Sequence, residues 1–338
     1  MKRWTFLLLI LFFSGTTAGN EIVPLPDIFD AGDIAVDEQQ LYITSGPSVY
    51  IYSLQGFALK KKFGRIGGGP KEFNLYRKTH LEMTALPDYL LLECLGKISF
   101  FTKDGEFIKI LKVDFWSRLG DFQPIEDDFV GIRSLGQTEN EYIGVIIYDS
   151  SLKQKKEIFR IINPFEKPGK PYNPVTINRI PLLYVCDNKI FIDNDNEVIH
   201  VLDREGKEFT VILPESEKVK FTNEDKNEYI EYYQSHPILR GLYRRNKDLI
   251  NFPDHFPNIR HYTVADKKIY VMTYNVENSK KECLIYDLNG DLIKRTVLPL
   301  QEYDVVRLVP FTIKSGKLYQ LIFNEEKEHL ELHITEIE

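Results

Sequence analysis

Apolar residues along this chain fall into short runs with a two-residue alternation, each ending in a tight polar turn and followed by another run of the same kind. Alternation punctuated by turns is the signature of β-hairpins. The clearest hairpins are Val49 to Leu59, Lys97 to Val113 around Asp104-Gly105, Tyr142 to Ile161, Glu197 to Leu213 around Glu205-Gly206, and Cys283 to Leu298 around Asn289-Gly290. Asp-Gly and Asn-Gly tolerate the positive φ angles that let a hairpin turn follow the twist of its strands. Another hairpin precedes each of these: Ile34 to Ser45, Leu81 to Glu93, Pro124 to Arg133, Ile180 to Asp193 and His261 to Tyr274. The pair Phe311 to Asn324 stands ahead of a single final run, Leu330 to Ile337.

Two hairpins make a four-stranded antiparallel blade, and six such units predict an all-β, six-bladed β-propeller. The last unit is one strand short. The segment Glu21 to Ile28 is expected to supply it, closing the ring and covering an edge that would otherwise pair with other chains. The longest interruption is Pro214 to Ile259, between blades four and five. There Thr222-Asn223-Glu224-Asp225 has the form of a capped helix start, Tyr229, Ile230 and Tyr233 follow at helical spacing, and Pro237 ends the pattern. A split into two domains within this insert would leave each half with unpaired edges, and the units on either side are alike. One propeller over residues 20–338 is therefore expected.

Lys2 and Arg3 precede the apolar run Trp4 to Phe13, and the small polar stretch Ser14 to Gly19 follows. That run is shorter than the ~20 residues a membrane-spanning helix needs, and residues 1–19 read as a cleavable signal peptide. With no cysteine near the cleavage point and no later long apolar segment, a secreted or periplasmic protein without a membrane span is expected. Loss of Lys2 and Arg3 moves the formal charge from −7 to about −9, which argues against nucleic acid as a partner. Cys94, Cys186 and Cys283 lie in three different units, without the clustered spacing of a metal site. No metal or cofactor is expected.

One linker carries more information. Phe63-Gly64-Arg65-Ile66-Gly67-Gly68-Gly69-Pro70-Lys71-Glu72-Phe73 follows an outer strand and resembles the inter-blade linker of NHL-repeat propellers at Gly64, Gly67, Gly69, Pro70, Glu72 and Phe73. Lys71 stands where that family prefers glycine. The mature chain as a whole is similar to NHL and TolB-like six-bladed propellers, a resemblance that implies fold rather than activity. The glycine run lacks the Gly-Lys-Ser/Thr of a phosphate loop and the βαβ setting of a dinucleotide site, so it reads as a linker crossing from outer to inner strand.

In a propeller the linkers between blades share one face with the loops joining second to third strands. The long segments fall there, making that face the candidate for binding. Two groups of cations belong to it. Arg240, Arg244 and Arg245 stand in the run Arg240 to Lys247 of the insert, and His80, Arg179, Arg260 and His261 stand at the expected starts of inner strands. Arginine forks suit carboxylate and phosphate groups. Lactonase-type propellers hold calcium with channel Glu, Asp and Asn, and amidating lyases use channel His, Arg and Tyr. Here the inner-strand starts offer oxygen ligands only at Asp33, and His329 and His333 share one side of a strand at ~13 Å. A non-catalytic propeller that binds a protein, a peptide or an acidic saccharide is the expected function, with a lactonase- or lyase-type enzyme as the alternative.

Overall fold

The computed structural model describes residues 20–75, 81–94, 96–112, 122–135, 142–162, 171, 173–177, 181–236 and 239–337. They form six four-stranded antiparallel sheets arranged as the blades of a propeller. The inner strands begin at Asp33, Glu82, Gln123, Leu183, His261 and Phe311. Blades one to five run outward in simple order to Leu59–Phe63, Phe107–Lys112, Gln154–Ile162, Glu208–Ile212 and Leu292–Leu298. The sixth takes its outer strand from the other end of the chain: Glu21–Leu25 pairs antiparallel with His329–Glu336, Glu21 opposite Ile334 and Leu25 opposite Leu330. The expected clasp is thus present, and Pro24 sits in the outermost strand, where a missing N–H costs no ladder bond.

The middle strands depart from simple alternation between core and solvent. Leu41, Tyr42, Ile43 and Thr44 are consecutive and all fully buried. Each blade is sandwiched between two others, so both of its faces are interior, and the two-residue period selects a neighbour instead of separating inside from outside. Ile43 packs toward blade six with Tyr50, Leu321 and Leu332, whereas Tyr42 packs toward blade two with Ile51, Phe63 and Phe101. The remaining four junctions are filled in the same way, by clusters centred on Phe100 and Ile146, Val145 and Ile190, Val201 and Leu284, and Ile285 and Leu318.

The turns between third and fourth strands carry a repeat hidden by variable composition. Asp149, Asp203 and Asp287 each end a third strand and accept two backbone N–H groups from the turn that follows. At the same place the hydroxyls of Thr102 in blade two and Ser53 in blade one each accept one backbone N–H. The glycine that follows also meets a spatial limit. A β-carbon on Gly206, at φ +84°, would lie 2.5 Å from the carbonyl oxygen of Ile158 in the preceding blade.

The Gly-rich linker crosses between blades one and two as two short parallel strands, Arg65–Ile66 and Glu72–Phe73. Glu72 folds it: the carboxylate accepts the Gly69 N–H at 2.9 Å and pairs with Arg65 at 2.7 Å. Lys97 of blade two donates to the Gly69 carbonyl at 3.0 Å, and Phe73 is fully buried at the junction, 6.2 Å from the Phe101 ring. Gly64 is required at φ +96°, where a β-carbon would meet the Pro47 carbonyl oxygen at 2.2 Å.

Beside the clasp lies a buried carboxylate, Glu331, opposite Pro24. It accepts Asn324 Nδ2 at 3.0 Å and Lys327 Nζ at 3.1 Å, and His333 Nε2 stands 3.2 Å away. Burial opposes its charge, but the bonds from Lys327, His333 and Asn324 outweigh it and hold the carboxyl below the usual glutamate range. A depressed carboxyl stabilises above its unfolded value and loses that contribution as pH falls. Between about pH 5 and pH 3, denaturant unfolding should therefore show a steeper loss of stability for the wild type than for Glu331→Gln. The clasp has its own test. Leu25 is 1% exposed, so Leu25→Ala should cost about 2–4 kcal/mol. Deleting residues 20–28 should lower the melting temperature and promote aggregation, and a truncated chain that stayed monomeric with unchanged Tm would show that the ring does not depend on the clasp.

Candidate functional site

The blade topology directs the linkers between blades to one face, and the insert between blades four and five builds a cap there. Its elements follow α1 (Pro174–Ile177), a single turn in the linker before blade four: α2 (Asn223–Ser235) and α3 (Leu239–Asn246). Thr222 caps α2 by accepting the Asp225 N–H at 3.2 Å, while the Asp225 carboxylate accepts the Thr222 N–H at 2.7 Å. Tyr229 and Tyr233, with Phe221, Phe256 and Val175, form a seventh cluster separate from those between blades. The Tyr233 hydroxyl donates to the Pro174 carbonyl at 3.3 Å. Partly buried Tyr274 at the end of a blade-five strand and Val305 and Val306 in the linker before blade six pack on this cluster, fixing the cap to the ring.

The basic run proves helical over most of its length. Leu239 and Tyr243 turn toward the cap cluster, while Arg240, Arg244 and Arg245 on α3, and Lys247 just beyond it, are exposed. Among the described residues none of these four cations forms an ion pair or side-chain hydrogen bond. They project as a cationic ridge on a protein of negative net charge.

Arg260 is placed differently. It precedes the inner strand of blade five as expected, but it is only 2% exposed. Its guanidinium meets Glu302 at 3.0 Å, donates to the carbonyls of Val306 at 3.2 Å and Asp304 at 3.4 Å, and lies 5.3 Å from the centre of the Tyr274 ring. From the other side, Glu228 of α2 accepts the Val305 N–H at 3.1 Å. Arg260 thus pins the linker before blade six instead of opening toward solvent. His261 opens the inner strand of blade five and packs edge-on against Phe311, ring centres 5.0 Å apart. His80 and Arg179 lie outside the described residues.

At the linker end of the inner strands is a cavity of about 320 Å³. Asp33, Tyr184, His261 and Phe311 line it from four blades, together with Val306 and the stretch 308–310. Asp33 Oδ1 accepts the Ile34 N–H at 2.9 Å, and Oδ2 accepts the Met83 N–H of blade two at 3.0 Å. Burial pushes its carboxyl up to about 6, more than the backbone bonds to Met83 and Ile34 bring it down, and the Glu82 charge adds to the rise. The alternation placed Asp33 at the start of an inner strand. What sequence could not show was that it shares a cavity with residues more than 150 positions away.

The three cysteines are free, and burial pushes the Cys283 thiol up to about 12, leaving it inert. His329 and His333, far apart along their strand, both turn toward Glu331, with Nε2 atoms at 3.7 and 3.2 Å from its oxygens. Among the described residues no group of three or more His, Cys, Asp and Glu side chains is placed to hold a metal ion.

No protein-family model and no curated protein matches the chain. Solved structures do resemble it. A member of the duf4221 family from Bacteroides vulgatus superposes with TM-score 0.57 at 10% identity, covering 94% of this chain and 96% of that one. A protein of unknown function from Bacteroides caccae gives 0.43 at 9% identity, covering 81% and 84%, and the computationally designed Ika8 protein gives 0.46 at 10%, covering 94% and 100%. At these identities the likeness to the duf4221 structure speaks for the fold alone.

The buried arginine yields a direct test. Arg260→Met keeps the apolar stem but strands two carbonyls, while Glu302 retains Lys281 as partner. Urea unfolding should show a loss of about 2–4 kcal/mol, and hydrogen exchange should speed up at Asp304 to Arg307.

Proposed function

We propose that this chain is an exported, non-catalytic binding propeller of the NHL and TolB-like kind that engages an acidic partner across its linker-bearing face. The observation that carries this reading is the ridge of Arg240, Arg244, Arg245 and Lys247, exposed and unpaired among the described residues. Some surface cations of this chain are neutralised by neighbouring carboxylates, as Lys61 and Lys71 are by Glu106 and Arg204 by Glu126, and among the described residues these four are not. Here the apolar side of α3 rests on a packed cap, so its charges are presented on a fixed platform instead of a loose loop. Guanidinium groups at helical spacing suit a row of carboxylates, as in an acidic saccharide or an acidic peptide. Kinship with NHL propellers is supported by the Glu72-locked linker, and export by the expected signal peptide, whose removal would expose an N-terminus near Asn20.

An acidic oligosaccharide such as oligogalacturonate is the probe of choice. Its affinity should fall steadily as salt is raised, because exposed charges are screened within about 8 Å at physiological ionic strength. The combined variant Arg240→Glu, Arg244→Glu, Arg245→Glu should bind at least tenfold more weakly with an unchanged melting temperature. Binding insensitive to both salt and charge reversal would overturn the reading. N-terminal sequencing of protein recovered from an exporting host should begin within a residue or two of Asn20.

A further inference from the structure

We infer that the cavity at the channel mouth is a binding site for a primary ammonium group carried on a small organic body. This site is separate from the α3 ridge and opposite to it in charge preference.

The wall of the cavity is the first argument. Among the described residues its ionisable side chains are Asp33, His261 and Tyr184, and no described lysine or arginine lines it. The partners of the Asp33 carboxylate are backbone N–H groups of Ile34 and Met83. No cation pairs with it among the described residues, and the charge that reaches it, Glu82 on the inner strand of blade two, is of like sign. A buried carboxylate is normally paired, because ionisation away from water is costly. Three buried carboxylates of this chain have such partners: Asp128 has Lys155 and Arg204, Glu282 has Arg295, and Glu331 has Lys327. Asp33 has none among the described residues, and it lines a cavity.

The second argument is the fit to an ammonium. Each Asp33 oxygen has given one lone pair to a backbone donor, and the other remains to accept from an –NH₃⁺ group. Phe311 and Tyr184 supply aromatic surface, which attracts organic cations as well as their apolar bodies. A divalent metal would ask for six or more oxygen ligands, which one carboxylate among aromatic and aliphatic neighbours does not provide. At about 320 Å³ the cavity lies at the small end of ligand sites.

Linkage gives the expected pH behaviour. The folded state holds a proton on Asp33 up to about pH 6, so between the unfolded value near 4 and pH 6 rising pH lowers stability. A cationic ligand would bind the ionised form and reverse that loss. Affinity should therefore be about tenfold weaker at pH 5 than at pH 7.5, following the ionised fraction of a carboxyl near 6. Among the described residues the titratable groups facing Asp33 are Glu82 across the junction and His261 and Tyr184 around the cavity.

Titration calorimetry on the mature chain would use benzylammonium chloride, its neutral counterpart benzyl alcohol, and calcium chloride. Expected are saturable one-to-one binding of benzylammonium, little response to the alcohol, and the stated pH dependence. Asp33→Asn should weaken benzylammonium at least tenfold, His261→Gln should keep the pH dependence, and the triple charge reversal on α3 should bind it as the wild type does. If Asp33→Asn does not fold, the wild-type pH profile and the neutral counterpart still decide. Equal binding of benzyl alcohol, a pH dependence abolished by His261→Gln, or a response to calcium alone would each overturn the proposal.

Discussion

Ring closure is the constraint on which the rest of this structure depends. Each blade buries both faces against its neighbours, so no blade has a core of its own, and each junction between blades is a shared apolar cluster. Such a ring is stable only when no face is left open. The strand Glu21–Leu25 meets that requirement, bringing chain-distant residues into one sheet and burying Leu25 and Ile28 at the junction of blades six and one. Long-range pairing of this kind pays a loop-closure entropy that local hairpins do not.

A closed ring then frees its linkers from holding the fold together, and they differ accordingly. The linker between blades one and two is spent on structure, with Glu72 folding the glycines and Phe73 filling the junction. The insert before blade five has built a small core of tyrosines and phenylalanines over the face. Between cap and ring, the linker before blade six is held from one side by Arg260 and from the other by Glu228. That double hold shapes a wall of the channel cavity, since Val306 both accepts from Arg260 and lines the cavity.

Charge is divided over this face in a way net charge conceals. The ridge on α3 is cationic and open, whereas among the described residues the channel cavity is lined by one carboxylate and no lysine or arginine. Elsewhere several ion pairs join neighbouring blades at their turns, as between Lys103 and Asp37, Lys267 and Asp187, and Lys314 and Glu38. The pairs of Lys267 and Lys314 are largely exposed and contribute little each.

Strand alternation, turn residues and the missing strand of the last unit determined the six-bladed fold, the clasp, the place of the insert and the capped start of α2, because each is written in local periodicity or in a count. They also put Asp33 and His261 at inner-strand starts and the α3 arginines on the linker face. Tertiary structure alone decided what those side chains meet. Arg260 and Arg244 look alike in sequence, yet one is buried against Glu302 and two carbonyls while the other is exposed, since burial depends on how a linker over forty residues downstream folds back. Likewise Asp33, Tyr184 and Phe311 share a cavity only because the ring closes. Periodicity fixes which way a side chain leaves its strand; which blade stands there to receive it is a property of the ring.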